Sequence, residues 1–157
     1  MRVIDKWVSR FLPWLTLAMV LITFAIVVLR YAFELGWVWM QECVVYMHSF
    51  VFLLGSAWAL GRDAHVRVDI FYQPSSPKRK AIVDLTGSLV LLIPACLVIF
   101  HQAYPYVLDS WSVFEGSKDG GGLESVFILK TVILLFCLLL FLQAAAIIRK
   151  SLSILRN

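Results

Sequence analysis

Polar and apolar positions along this chain sort into long blocks, without the alternation of a half-buried strand. Four runs, Phe11–Leu29, Cys43–Gly61, Leu85–Leu108 and Thr131–Ile148, contain no Asp, Glu, Lys or Arg. At about 1.5 Å of rise per residue, runs of this length match a hydrocarbon core of about 30 Å. Lipid offers no partner for backbone N–H and C=O groups, so spanning segments with this pattern fold as helices. With their flanking interface residues the predicted spans are 11–33, 40–61, 85–108 and 128–148. The expected fold is an all-α membrane protein: one domain, residues 1–157, with four transmembrane helices.

The segments between the spans add detail. Met1–Arg10 carries Ile4, Trp7 and Val8 at helical spacing among Arg2, Asp5, Lys6, Ser9 and Arg10, which reads as a short amphipathic lead lying on the membrane surface. A turn around Gly36 precedes Trp37 and Trp39, residues suited to an interfacial aromatic belt. Gly55-Ser56-Ala57 gives the second span a small-residue patch for close helix approach. The stretch Asp63–Phe71 alternates polar and apolar residues and fits a short extended piece or a single interfacial helical turn, and Pro74–Lys80 reads as a polar turn. Pro94 and Pro105 predict a kink in the third span. The connection Asp109–Lys130 is acidic and contains Gly120-Gly121-Gly122; without a following Gly-Lys-Ser/Thr it is a linker or docking loop and not a phosphate loop.

Composition agrees with this class: 61% of residues are hydrophobic, 15% are charged, and the mean hydropathy is +0.86. The net charge of +4 points to topology rather than to nucleic acid. Of 14 Lys and Arg residues, only Arg30, Lys118 and Lys130 fall on one side. The remainder precede the first span, separate the second from the third, or follow the fourth. The positive-inside rule then expects both termini in the cytoplasm (N-in/C-in), facing anionic headgroups. The first span is expected to be retained, since no small-residue cleavage site follows it. Cys43, Cys96 and Cys137 lie in apolar runs, where cysteine acts as a small hydrophobe, and no Cys-x-x-Cys pair supports disulfide chemistry.

Few residues invite chemistry. His48 and His101 lie at depths agreeing to roughly 3 Å at helical rise, so they are the candidate axial ligands if the chain is a haem-bearing anchor of a respiratory enzyme. Arg30, Glu34 and Glu42 cluster at the first outer turn, where Glu42 is expected either to sit among interface charges or to pair with Arg30 or a partner subunit. Gln102 and Gln143 suit interhelical hydrogen bonding. No charged residue stands at the middle of a span, so the chain alone makes a poor ion or solute pathway. Neither catalysis nor a cofactor or metal is expected.

Arg30-Tyr31 at the end of the first span, Trp39-Met40-Gln41-Glu42 opening the second, Gly55-Ser56-Ala57, and then His65-Val66-Arg67-Val68-Asp69 resemble the small membrane subunit, DctQ, of tripartite ATP-independent periplasmic (TRAP) transporters. The resemblance covers nearly the whole chain. Glu115-x-Ser117-x-Asp119, Gly121-Gly122-Leu123, Lys130 and Gln143 are similar to a branch associated with organic acids such as 2-oxo acids. The family often carries two carboxylates where this chain has Gln41-Glu42, and the proline common near the start of the last span is absent. The resemblance implies a place in the bacterial inner membrane, a large permease subunit carrying substrate and sodium ions, and a periplasmic solute-binding protein as partners. The chain itself would be a non-enzymatic scaffold. Arg30, Glu42, His65, Arg67 and Asp69 are then the candidate subunit-interface and structural residues, and Glu115, Asp119 and Glu124 the candidates for docking the binding protein.

Overall fold

A computed structural model describes residues 2–62, 64 and 72–156, with side chains from Ser9 onward. His65, Arg67 and Asp69 lie outside the described residues, as do the side chains of the expected amphipathic lead. The described chain is helical: α1 (Arg2–Phe33), α2 (Val38–Gly61), α3 (Pro77–Gly87), a π-helical turn (Ser88–Leu92), α4 (Ile93–Ser112) and α5 (Val126–Arg156). Four of its helical stretches are long and apolar enough to cross a membrane, with α3, the π turn and α4 forming one rod of 36 residues.

Local chemistry sets the ends of these helices. α1 stops where Glu34 turns left-handed (φ 56°) and the Leu35 N–H returns to the Leu29 carbonyl at 3.0 Å. Ser76 caps α3, accepting from the Arg79 N–H at 3.4 Å, and Pro77 occupies the first helical position, where its missing donor is harmless. The helix therefore begins within the stretch expected to be a polar turn. The π turn falls just ahead of Pro94. A proline removes one N–H from the i→i−4 ladder, and the widened turn absorbs that loss.

The helices form an open row. α1 packs on α2, α2 on α5, and α5 on α3 and α4. A compact 17.9 kDa protein exposes about 8,000 Å²; this chain exposes 10925 Å². α1 has no buried residue among those described, whereas α5 buries Val132, Cys137, Leu140, Ala144 and Ser151. The core joins Ala57 of α2, Cys96 of α4 and Leu140 of α5, with Leu92, Phe136 and Leu139 against them. Small residues dominate the contacts because apolar side chains gain nothing by leaving lipid for protein. Close backbone approach gives the van der Waals contact that holds such helices together. Gly55 shows this at the α1–α2 seam, where an added Cβ would lie 3.5 Å from Leu12 Cδ1.

A clamped loop as the candidate functional site

Two ends of the row carry the polar chemistry. The basic end holds Arg62, Lys78, Arg79, Lys80, Arg149 and Lys150; the opposite end holds the α1–α2 turn and the loop 113–125. That loop is built, not slack. α4 ends in a Schellman arrangement: Phe114 is left-handed (φ 46°), its N–H donates to the Trp111 carbonyl at 3.3 Å, and the Glu115 N–H donates to the Ser110 carbonyl at 3.0 Å. A phenylalanine tolerates this glycine-type conformation because its ring packs edge-on against Trp111 and Phe127, with centroids at 6.4 and 5.7 Å. Trp111 is itself fixed, stacking edge-on to Phe127 at 4.6 Å and donating through Nε1 to Thr131 Oγ1 at 2.8 Å.

Glu42, in the second turn of α2, reaches across to clamp this loop. Its Oε1 accepts from the Ser117 hydroxyl, and its Oε2 accepts from the Leu123 N–H at 2.5 Å. The loop closes around that carboxylate: the Ser117 N–H donates to the Leu123 carbonyl at 3.0 Å, the Asp119 N–H to Ser117 Oγ at 3.1 Å, and the Gly122 N–H to the Asp119 carbonyl at 3.1 Å. Two of the loop glycines are required. Gly121 has φ 79°, and a Cβ on Gly122 would stand 2.7 Å from Glu42 Oε1.

A second anchor ties the loop to α5. Lys130 Nζ pairs with Glu115 and lies 3.8 Å above the Tyr106 ring. The Lys130 hydrogen bond holds the Glu115 carboxyl below the usual carboxylate range, with a smaller contribution from Ser110. The buried Ser110 hydroxyl nonetheless makes no hydrogen bond of ordinary geometry.

The structure redistributes the expected site residues. Glu42 meets the loop, while Arg30 is exposed at the end of α1 and makes no ion pair among the described residues. Glu115 is engaged within the chain; Asp119 and Glu124 are exposed, and a Cβ on Gly116 would meet the Glu124 carboxyl carbon at 2.9 Å. Gln143 packs its amide over Gly61 at the α2–α5 contact, and Gln102 is exposed. His48 and His101 are both exposed, on helices that pack on α5 rather than on each other, and His48 stacks on Phe52 of its own helix. That arrangement gives a shared haem no support. Among the described residues no group of three metal-ligating side chains gathers. Reasoning from composition and depth missed the partnership of Glu42 with Ser117 and Leu123, although these residues fall in the segments that carried the family resemblance.

A row of four apolar helices, with open outer faces and a clamped acidic loop at one end, defines a multi-pass membrane protein. The family model of tripartite ATP-independent periplasmic transporters, DctQ component, matches residues 19–153, and the chain belongs to that family. It is similar to the C4-dicarboxylate TRAP transporter small permease protein DctQ of Vibrio cholerae serotype O1, at 27% identity over 95 residues. The match covers 59% of this chain and 41% of the relative, so it spans less than half of that protein's length.

Proposed function

We propose that this chain is the small scaffold subunit of a binding-protein-dependent, sodium-coupled TRAP transporter importing an organic acid. Membership of the DctQ family is the observation that carries this reading, and the C4-dicarboxylate specificity in the name of the Vibrio relative favours dicarboxylates as the solute class. The physical fit is good: no charged side chain stands at the middle of a span to make a pathway, and the open row leaves broad apolar faces for a large permease subunit. In this proposal the basic end faces the cytoplasm, as the positive-inside rule requires, and the clamped loop faces the periplasm. Asp119 and Glu124 then offer exposed carboxylates to basic patches of the binding protein, with Glu115 holding the loop in place. Arg30, with His65, Arg67 and Asp69, serves subunit contacts at the two membrane surfaces.

The test is co-expression with a large TRAP permease subunit from the same organism, purification in mild detergent, and reconstitution with the binding protein. The expected result is a stable complex of both membrane subunits, with sodium-driven uptake that needs all three proteins. Solute transport by this chain alone in liposomes would overturn the reading.

A further inference from the structure

At the basic end a cleft of about 830 Å³ opens between α2, α3, the π turn and α5. This is the size range of sites for amphiphilic small molecules. Its deep walls are apolar: Leu60, Leu92, Phe136, Leu140 and Ile147. Its mouth is polar, with Arg79, Tyr72 and Asp84. Asp84 is already held there, since the Tyr72 hydroxyl donates to its Oδ2 at 2.8 Å, and Lys80 Nζ lies 5.4 Å over the Tyr72 ring. A smaller neighbouring cleft, sharing Leu60, Tyr72, Asp84 and Ile147, adds Lys80 and Lys150 to the rim.

The charges at this mouth are out of balance with the backbone. Lys78, Arg79 and Lys80 fill the first turn of α3, which has no acidic residue. A helix N-terminus carries partial positive charge and favours anions, so three successive cations there repel the dipole as well as one another. Local conflicts of this kind mark functional sites. An external anion relieves this one, and the apolar walls behind it call for a tail.

We propose that the cleft binds one anionic glycerophospholipid from the leaflet at the basic end. Its phosphodiester lies over the first turn of α3 between Arg79 and Lys80, and an acyl chain runs along Leu60, Leu92, Phe136 and Leu140. The lipid completes the α2–α3–α5 packing that the side chains of the described residues leave open. Two cations close to the phosphate correspond to a preference of roughly thirtyfold for an anionic over a zwitterionic lipid at low ionic strength.

Gly87 supplies a clean probe. It lines the cleft, and a Cβ there meets nothing within 4 Å. Gly87→Leu therefore projects a branched side chain into the cleft without a clash at its Cβ, and it raises helix propensity. The full chain is purified in a neutral detergent, stripped of lipid, and titrated with phosphatidylglycerol, phosphatidylcholine or inorganic phosphate. Bound lipid is counted by native mass spectrometry and melting temperature is followed in parallel.

The expected result is one phosphatidylglycerol per chain, a melting temperature that rises with it, weaker phosphatidylcholine binding by roughly thirtyfold, and no shift from inorganic phosphate. Arg79→Gln with Lys80→Gln brings phosphatidylglycerol down to the phosphatidylcholine level, the charge-preserving Arg79→Lys keeps the preference, and Gly87→Leu weakens retention of both lipids. Equal binding of the two lipids, lipid retained in full by Gly87→Leu, or a crosslinker at residue 87 capturing the permease subunit instead of lipid would each overturn the proposal.

Discussion

Three consecutive glycines in the loop 113–125 are chemically identical and physically different, and alanine at each separates a clamped loop from a flexible one. Gly122 packs so closely that an added Cβ would lie 2.7 Å from Glu42 Oε1 and nearer still to the Ser117 side chain. Gly122→Ala must therefore push apart the clamp itself, and overpacking of this kind costs about 1–3 kcal/mol. Gly121 has open space around it but φ 79°, so Gly121→Ala pays only the left-handed backbone penalty of about 1–2 kcal/mol. Gly120 has open space and no positive φ. Gly120→Ala should stabilise the loop by about 0.4–1 kcal/mol, by restricting the unfolded chain.

Amide hydrogen exchange across residues 113–125 in detergent reads these differences directly, because local opening sets the rate. The Leu123 N–H, which donates to Glu42 Oε2, should exchange roughly 5- to 150-fold faster in Gly122→Ala. It should exchange roughly 5- to 30-fold faster in Gly121→Ala, and no faster than wild type in Gly120→Ala. Three variants with the same exchange as wild type would show that the loop is a linker after all, and that Glu42 does not hold it.

Acid should loosen the second anchor. The Glu115 carboxyl is held below its ordinary value of 4.5, so its stabilising pair with Lys130 is fully present above that pH and is lost as pH falls through the lowered folded value. The protection of the loop amides, corrected for the intrinsic slowing of exchange in acid, should therefore fall below about pH 4.5 in the wild type, and Glu115→Gln should remove the share of that step that Glu115 carries. Phe114→Gly relieves the left-handed strain while losing the ring contacts and should sit near neutral, whereas Phe114→Ala keeps the strain and should lower the melting temperature. Ala144→Leu, at a fully buried α5 contact, should destabilise by about 1–3 kcal/mol in thermal unfolding, while Leu142→Ala on the exposed side should change little. A reporter fused after Asn157 should be active only in its cytoplasmic form; activity of a periplasmic reporter there would invert the proposed orientation.

The spanning helices were legible because lipid leaves the chain one option, and a run such as Leu85–Leu108 declares itself by lacking charge. What the pattern hid was partnership across the sequence. Nearness in sequence puts Arg30 among the possible partners of Glu42, yet the hydrogen-bond partners of Glu42 lie 75 and 81 positions away. Depth along a helix also says nothing about rotation or neighbours, which is why His48 and His101 match in depth and still face outward, on helices that pack on α5 rather than on each other. The start of α3 was readable in Ser76-Pro77, a capping residue followed by the favoured first-turn proline. Lys78-Arg79-Lys80 masked it, since three cations contradict the usual acidic first turn.

The buried face of a membrane helix is a different problem from that of a soluble one, because hydrophobicity no longer distinguishes inside from outside. Size does. On α5 the buried positions Cys137, Leu140, Ala144 and Ser151 follow a spacing of three, four and seven, and on α4 Cys96, Ala103, Val107 and Ser110 follow seven, four and three. Those intervals, which begin on α5 after Val132, are the spacing of a heptad-like seam. The small residues set the distance of approach, while the large ones at the same depth, Leu138 and Val98 among them, point away. α1 presents no such buried seam, with Trp14, Phe24 and Tyr31 exposed along it. A helix held on one side only is the natural place for another membrane protein to add its own, and an assembly partner that left α1 entirely in lipid would contradict that step.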